Sequence, residues 1–160
     1  YPAIDTLDSY SKYLEYPEFI EYAKDKLDEN WVDLVNEARN VLVKGKETEE
    51  QINILGDDSV PIDYHIDLWK SEFIDFIILQ QDAFDKIDAT SSLERQEYML
   101  KKVINVTRSE FKFDGFEEVA IYFKRLINIF KQMNYAIFKS EEFNKSEEEA
   151  NAILEERLVK

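Results

Sequence analysis

Hydrophobic residues recur at helical spacing along most of this 160-residue chain. After Asp28, a residue type that caps helices, an apolar stripe steps by three and four residues until Gly45 closes the predicted helix. The stripe consists of Trp31, Leu34, Val35, Ala38, Val41 and Leu42. The capping-box pattern Thr48-Glu-Glu-Gln51 then predicts a separate short helix that stops at Gly56.

A second stripe follows Pro61, which suits the first position of a helix. Its apolar residues are Ile62, Ile66, Trp69, Phe73 and Phe76. This spacing predicts a helix that continues to about Leu79. The polar stretch from Gln80 to Ser92 predicts a turn, and the capping box Ser91-Ser-Leu-Glu94 predicts the start of the next helix.

The second half of the chain has three further helical patterns. The first places Leu93, Leu100, Val103, Ile104 and Phe111 on one face, and Asp114-Gly115 interrupts it. The longest stripe comprises Phe116, Val119, Ala120, Phe123, Leu126, Ile127, Phe130, Met133 and Ile137. A third capping box, Ser146 to Glu149, predicts the start of a charged terminal helix anchored by Ala150, Ile153, Leu154 and Leu158. We expect that helix to be the least firmly packed.

Composition favours the same fold class, because three Gly and three Pro are too few for the turns of a β or Rossmann-type chain. We predict an all-α fold, a multi-helix orthogonal bundle, as one domain over residues 1–160. Short helices in residues 1–28 lead into a main bundle of residues 29–138. The terminal helix, residues 146–158, is expected to be peripheral.

The formal net charge of −15 argues against a nucleic-acid partner, because such binding depends on Lys and Arg that neutralise phosphates. No apolar run reaches the length of a membrane span, so we expect no direct membrane insertion. The absence of Cys excludes disulfides and thiolate metal sites. Because the first residue is Tyr rather than Met, we expect a fragment of a longer protein; a tag-cleaved whole protein is the alternative.

The sequence predicts no catalytic residue and no metal site. His65, the only histidine, lies between Asp63 and Asp67, neither of which shares its helix face, so we predict a solvent-exposed side chain. The phosphate-binding and nucleophile motifs are missing, and one His without Cys leaves little for nucleophilic catalysis. A small helical enzyme is therefore poorly supported.

Two aromatic residues lie off the stripes. Phe84 stands in the polar turn Gln-Gln-Asp-Ala-Phe-Asp, where it either plugs the end of the bundle or offers its ring to something outside. The pattern alone favours the plug. Tyr1 is a terminal aromatic that nothing nearby in the sequence would bury.

Four segments, in order, resemble one family. They are Tyr1-Pro-Ala-Ile4 with Leu7-Asp-Ser-Tyr-Ser11, Trp31-Val-Asp-Leu34, Ile54-Leu-Gly56, and Leu79-Gln-Gln-Asp-Ala-Phe84 followed by Asp85-Lys-Ile-Asp88, Ser92-Leu-Glu-Arg-Gln96 and Met99-Leu100. Over residues 1–106 this set resembles the C-terminal region of the catalytic A subunit of V-type and archaeal-type rotary ATPases. Beyond Thr107 no motif carries over.

The resemblance implies a C-terminal helical domain that contacts the central rotor stalk, with the B subunits and a hexameric head as further partners. It implies a cytoplasmic, peripheral part of a membrane-bound, ion-translocating complex. By motif position, Phe84 and Tyr1 would flank the adenine of bound nucleotide, which replaces the plug interpretation of Phe84. ATP or ADP with magnesium belongs to the parent subunit, and the isolated fragment is expected to hold no cofactor.

Two positions depart from the family pattern. Ala89-Thr-Ser-Ser92 stands where the family commonly has Thr-Tyr-Cys, so redox control through that turn is not available, and Thr6 replaces a family Trp. The alternative function is a stand-alone acidic helical adaptor or regulatory protein-binding domain that docks through its acidic face and the helix of Phe116–Ile137.

Overall fold

The computed structural model describes residues 31–79 and 89–159, and these ranges are largely helical. They contain five α-helices: α1 Trp31–Leu55, α2 Ile62–Ile74, α3 Ala89–Arg108, α4 Phe116–Tyr135 and α5 Glu141–Arg157. A 3₁₀ turn, Asp57–Ser59, joins α1 to α2, and a π-helical turn, Asp75–Leu79, extends α2. Extended pairing in the described residues is limited to one bridge between Phe111 and Leu158. The predicted all-α class is confirmed.

One hydrophobic core joins all five helices. The largest fully buried side chains are Phe73, Phe123, Phe130, Phe143, Leu42, Ile74, Ile77, Ile104, Leu126, Met133 and Val103. Most of them lie on the predicted stripes, because a period of 3.6 residues brings such positions to one helix face. Helix α4 also buries Tyr122 and Ile129, so its buried surface is wider than the stripe.

Helix α1 is longer than predicted, because Gly45 does not end it. The helix continues through Gly45 to Leu55, and Gly56, with φ of 90°, ends it. A methyl group on Gly45 would overlap Cβ and Oγ of Ser71 on α2. Gly45 therefore allows two helices to approach closely, a role that the sequence pattern does not distinguish from a helix stop. Thr48 donates its hydroxyl hydrogen to the Gly45 carbonyl, 3.0 Å away, instead of capping a new helix.

Two other capping boxes lie inside helices rather than at their starts. Helix α3 already includes Ala89, two residues before the predicted start at Ser91. Helix α5 begins at Glu141, and its cap is Ser140, whose hydroxyl accepts the Phe143 backbone N–H at 3.2 Å. The earlier start places Phe143 in the core, which the predicted start at Ser146 does not.

Two exposure predictions are wrong. His65 is only 5% exposed, because its ring stacks on Phe116 with centroids 5.0 Å apart. Its Nε2 lies 2.9 Å from the Asp57 carbonyl, which satisfies the buried imidazole. Ile137, placed on the α4 stripe by its spacing, is 80% exposed because α4 ends at Tyr135.

The directions of the helices follow from the contacts between them. Asp57, just after α1, contacts His65 near the start of α2, whereas Gly45, earlier on α1, faces Ser71 further along α2, so these helices form an antiparallel hairpin. Helix α4 runs parallel to α2, since both of their starts and both of their ends are in contact. At the starts, His65 stacks on Phe116; at the ends, Asn134 bonds to the Ile77 carbonyl.

Helix α5 is attached at both of its ends. Phe143 is buried near its start, and at its other end the Lys112 N–H donates to the Arg157 carbonyl at 3.0 Å. The Val159 N–H donates to the Glu110 carbonyl at 2.9 Å, which completes the bridge. The predicted anchor Ala150 is buried. How firmly α5 is held relative to the other helices stays a prediction.

Several sequence predictions lie outside the described residues. These are the short lead-in helices of residues 1–28, the Asp28 cap, the turn of residues 80–88 with Phe84, Tyr1, and the side chains of Trp31 and Leu93. The division into domain regions also stays a prediction. Within the described ranges, none of the helices has the length and hydropathy that a membrane span requires.

Candidate functional site

The two predicted adenine-contacting residues, Phe84 and Tyr1, lie outside the described residues, but both flanks of the Phe84 segment are described. The chain enters residues 80–88 from the π-helical turn Asp75–Leu79 and leaves them at the first residue of α3. The C-terminal end of α4 contacts both flanks. We call Ile77, Arg95, Met133 and Asn134 the flank anchor.

Two hydrogen bonds connect the residues of the flank anchor. The Asn134 side-chain amide donates to the Ile77 backbone carbonyl at 3.1 Å, in a buried environment. The Arg95 guanidinium, through Nη2, donates to the Met133 carbonyl at 2.9 Å. Ile77 lies before residues 80–88 and Arg95 lies after them, whereas Met133 and Asn134 are adjacent on α4. One helix end therefore fixes both flanks.

Ring contacts support the anchor from within the bundle. Phe73 and Phe130 meet edge to face with centroids 4.8 Å apart, a favourable geometry for two aromatic rings. The Lys131 ammonium lies 4.6 Å from the centre of the Phe76 ring, within the range of a cation–π contact. These contacts join the last turns of α4 to the end of α2, through Phe73, and to the π-helical turn, through Phe76.

The opposite end of the α1–α2 hairpin carries exposed apolar side chains. Ile54 is 75% exposed and Leu55 is 52% exposed at the end of α1. The acidic, exposed Asp57 and Asp58 follow directly. We call residues 54–58 the hairpin tip. Adjacent large apolar side chains that are exposed at a helix end make this tip a candidate contact surface for another protein.

Helix α1 of the hairpin is braced by α3 as well as by α2. Arg108 Nε donates to Glu37 Oε1 at 2.6 Å, and Nη2 binds the other carboxylate oxygen, which forms a bidentate pair. The hydrogen bond from Arg108, together with its positive charge, lowers the pKa of the Glu37 carboxyl. The carboxylate is therefore ionised at neutral pH and the pair is maintained.

Between α4 and α5 lies an open groove of about 400 Å³, lined by Gln132, Tyr135, Ala136, Glu142, Lys145, Ser146 and Glu149. Its two carboxylates and single ammonium make it unsuited to a phosphate chain. Within residues 31–79 and 89–159, no group of three or more His, Asp or Glu side chains could hold a metal ion.

A polar cluster connects α3 to α5 beside that groove. The Tyr98 hydroxyl donates to a Glu147 carboxylate oxygen, and Lys102 Nζ lies 3.4 Å from the same carboxylate. Burial, and then the hydrogen bond to Glu147, raise the pKa of Tyr98 to about 12. Tyr98 is therefore a neutral hydrogen-bond donor at neutral pH, which is a structural role.

A family model provides the comparison that decides the classification. The model described as the C-terminal domain of V and A type ATP synthase matches residues 20–113. The chain belongs to this family. The match spans α1, α2, α3 and the segment with Phe84, and it ends before α4.

Curated relatives extend the similarity of this V/A-type domain further along the chain. The V-type ATP synthase alpha chain of Borrelia duttonii (strain Ly) is 39% identical over 150 residues, which are 92% of this chain and 23% of that relative. That of Protochlamydia amoebophila (strain UWE25) is 31% identical over 160 residues, 100% of this chain and 26% of the relative. That of Treponema denticola is 32% identical over 148 residues, 92% of this chain and 23% of the relative.

The chain thus spans about a quarter of the length of these relatives. Their similarity includes residues beyond Thr107, where motifs alone showed no resemblance. No solved structure matches the chain significantly.

Sequence reasoning missed the flank anchor, although one signal was present. Asn134 lies next to Met133 on the buried face of the V/A-type domain's fourth helix, where a polar residue interrupts the apolar positions. A buried amide needs a partner, so that interruption indicates a specific hydrogen bond. The identity of the partner, the Ile77 carbonyl, requires the fold.

Proposed function

We propose that this chain is the C-terminal helical domain of the catalytic subunit of a V/A-type rotary ATPase and couples nucleotide state to the position of the central rotor stalk. One observation carries the proposal. Leu79 and Ala89, which flank Phe84, lie at one end of the bundle, and the exposed Ile54 and Leu55 lie at the other. Helix α2 and the π-helical turn run from Ile62 to Leu79, so at about 1.5 Å of rise per residue the two ends are separated by roughly 25 Å.

The nucleotide side of the proposal rests on Phe84 and Tyr1. Their rings would flank the adenine, and an aromatic face can stack on a base without reading its edge. ATP or ADP and magnesium would be bound mainly by residues of the subunit outside this chain.

The mechanical side of the proposal rests on the hairpin tip. The partners would be the central stalk at the tip and the B subunits within the hexameric head. The chain would be a cytoplasmic, peripheral part of the membrane-bound machine, with no nucleic-acid partner and no insertion of its own. A close-packed bundle transmits displacement as one body, which lets an event at residues 80–88 move the tip.

The adaptor alternative loses one of its two proposed surfaces. It named the helix of Phe116–Ile137 as a docking face, and the apolar residues of that helix are mostly buried within the bundle. The buried set comprises Val119, Phe123, Leu126, Ile127, Phe130 and Met133.

Phe84→Ala in the full-length catalytic subunit should weaken binding of ADP and ATP by about 1–3 kcal/mol, because one stacking face on the adenine is lost. Phe84→Tyr keeps the ring face and should retain most of the affinity. Equilibrium binding measured by calorimetry on the assembled head compares the two variants. Unchanged affinity in Phe84→Ala would exclude the adenine role.

Ile54→Ser in the assembled ATPase should weaken attachment of the purified central stalk to the head by about tenfold, as truncation of a well-packed interface residue does. Nucleotide affinity should stay unchanged, because the tip is far from residues 80–88. Ile137→Ser is the control: Ile137 is 80% exposed and follows the end of α4 that contacts Ile77, opposite the tip. Equal losses of stalk binding in both variants would contradict a specific role for the tip.

A further inference from the structure

We propose that Asn134 and Arg95 are positioning residues for the adenine contact of the parent subunit. Through the Ile77 and Met133 carbonyls they attach both flanks of residues 80–88 to the end of α4. The inference rests on the proposed role of Phe84 and adds to it a helix that lies beyond the family match. It makes α4 part of the apparatus that sets nucleotide affinity.

The Asn134 bond is specific because it joins a buried amide to a π-helical turn. Asn134 is 5% exposed, and burying an amide without a partner is costly. An apolar residue at this position would fill the space at no such cost. The Ile77 carbonyl belongs to a π-helical turn, whose wider i→i+5 pattern is uncommon and is often found at functional sites. Asn134 supplies the donor that holds this carbonyl in place.

The Arg95 bond fixes the opposite flank to the same helix end. Met133 is in the last turn of α4, where backbone carbonyls lack partners within the helix and carry the negative end of the helix dipole. A guanidinium is the favoured partner there, because it adds a charge-assisted hydrogen bond to the dipole interaction. Arg95 is in the second turn of α3, so this bond orients the helix start that follows residues 80–88.

The two bonds converge on adjacent residues of α4, and this convergence favours a positioning role over ordinary core satisfaction. A single bond would fix only one of the two flanks. With both flanks attached to neighbouring backbone positions, the separation and orientation of the two flanks are defined together. The position of a ring that stacks on a bound base depends on the separation and orientation of these flanks. A small misplacement at a binding site loses much of the interaction.

Asn134→Asp in the full-length subunit, assembled in its head, tests the role of the amide. The variant keeps the shape of the side chain and replaces the donor by a carboxylate oxygen that faces the Ile77 carbonyl. Asn128→Asp is the matched control, since it makes the same change on an exposed position of α4. Binding of ADP and of inorganic tripolyphosphate is measured for each variant. Tripolyphosphate has no base, so it reports the phosphate site alone.

We expect Asn134→Asp to weaken ADP binding by at least about threefold, the lower range of couplings between residues in one network. Tripolyphosphate binding and the Asn128→Asp variant should be unaffected. In a Phe84→Ala background, Asn134→Asp should cause no further loss, because the ring it positions is gone. Arg95→Gln should behave in the same way and serves as the second variant if Asn134→Asp does not fold.

The outcomes separate this inference from the proposed function. Equal weakening of ADP and tripolyphosphate, or an undiminished loss in the Phe84→Ala background, would show a general effect on folding and overturn the positioning role. A loss in Phe84→Ala with none in Asn134→Asp or Arg95→Gln would overturn the positioning role alone. If Phe84→Ala itself changes nothing, the adenine role fails and this inference fails with it.

Discussion

Phe130→Ala is expected to lower the free energy of unfolding of the chain by about 3–5 kcal/mol, the cost of truncating a buried Phe. Phe130 is completely buried, and it meets Phe73 edge to face on the neighbouring helix. Removing the ring loses its transfer free energy and leaves a cavity in a close-packed interior. It also loses the aromatic pair between α2 and α4.

Urea unfolding followed by circular dichroism measures this effect. Tyr135→Ala is the control, because it truncates another aromatic of the same helix at a position that is 79% exposed. The control should change the free energy of unfolding by less than about 0.5 kcal/mol. Similar losses in the two variants would mean that α4 does not bury the Phe130 face.

Gly45→Ala is expected to destabilise the chain by about 1–3 kcal/mol, although Ala is the better helix former. An uncrowded Gly-to-Ala change within a helix would instead stabilise by up to about 1 kcal/mol. The sign of the effect therefore discriminates between the two situations. Overlap with Ser71 should force α1 and α2 apart, and the lost packing should outweigh the gain in helix propensity.

The double variant Gly45→Ala with Ser71→Gly tests the origin of the effect. Ser71→Gly removes both atoms that the new methyl group would meet, so the double variant should recover part of the lost stability relative to Ser71→Gly alone. Thermal unfolding of the four chains in this cycle gives the coupling between the two positions. A stabilised Gly45→Ala single variant would contradict the close approach of α1 and α2.

Apolar periodicity predicted much of this fold, because apolar residues recur at helical spacing where one face of a helix is buried. The stripes through Leu42, Phe73 and Phe123 are buried as expected. Periodicity could not place Gly45, since glycine is common both where a helix ends and where two helices touch. The two situations differ only in what packs against the glycine. Here it is Ser71, which lies 26 positions further along the chain.

Polar residues were the weaker part of the prediction. His65 was predicted to be exposed because its sequence neighbours are acidic, but its surroundings in the fold are Phe116 and the Asp57 carbonyl. Capping boxes are short patterns, and the box at Ser146 occurs within α5 after the stronger cap at Ser140. The partners of these groups are set by tertiary packing, which local sequence does not encode.

The candidate site, too, could be predicted only in part from the sequence. Motif resemblance pointed to Phe84 and Tyr1, and their contact with adenine stays a prediction. The flank anchor depends on two bonds that each join residues 38 or more positions apart. An acceptor that is a backbone carbonyl has no side-chain signature, so sequence could indicate that Asn134 needs a partner but not which one.

The parallel course of α2 and α4 has a mechanical consequence. A force applied along the axis of α2 is opposed by side chains that interlock with α4 over its whole length, from His65 on Phe116 to Ile77 on Asn134. Such loading is shear, in which all contacts of the interface resist together, whereas peeling would break them one after another. The bundle should therefore be stiffest along the direction that joins the hairpin tip to residues 80–88, and most compliant across it.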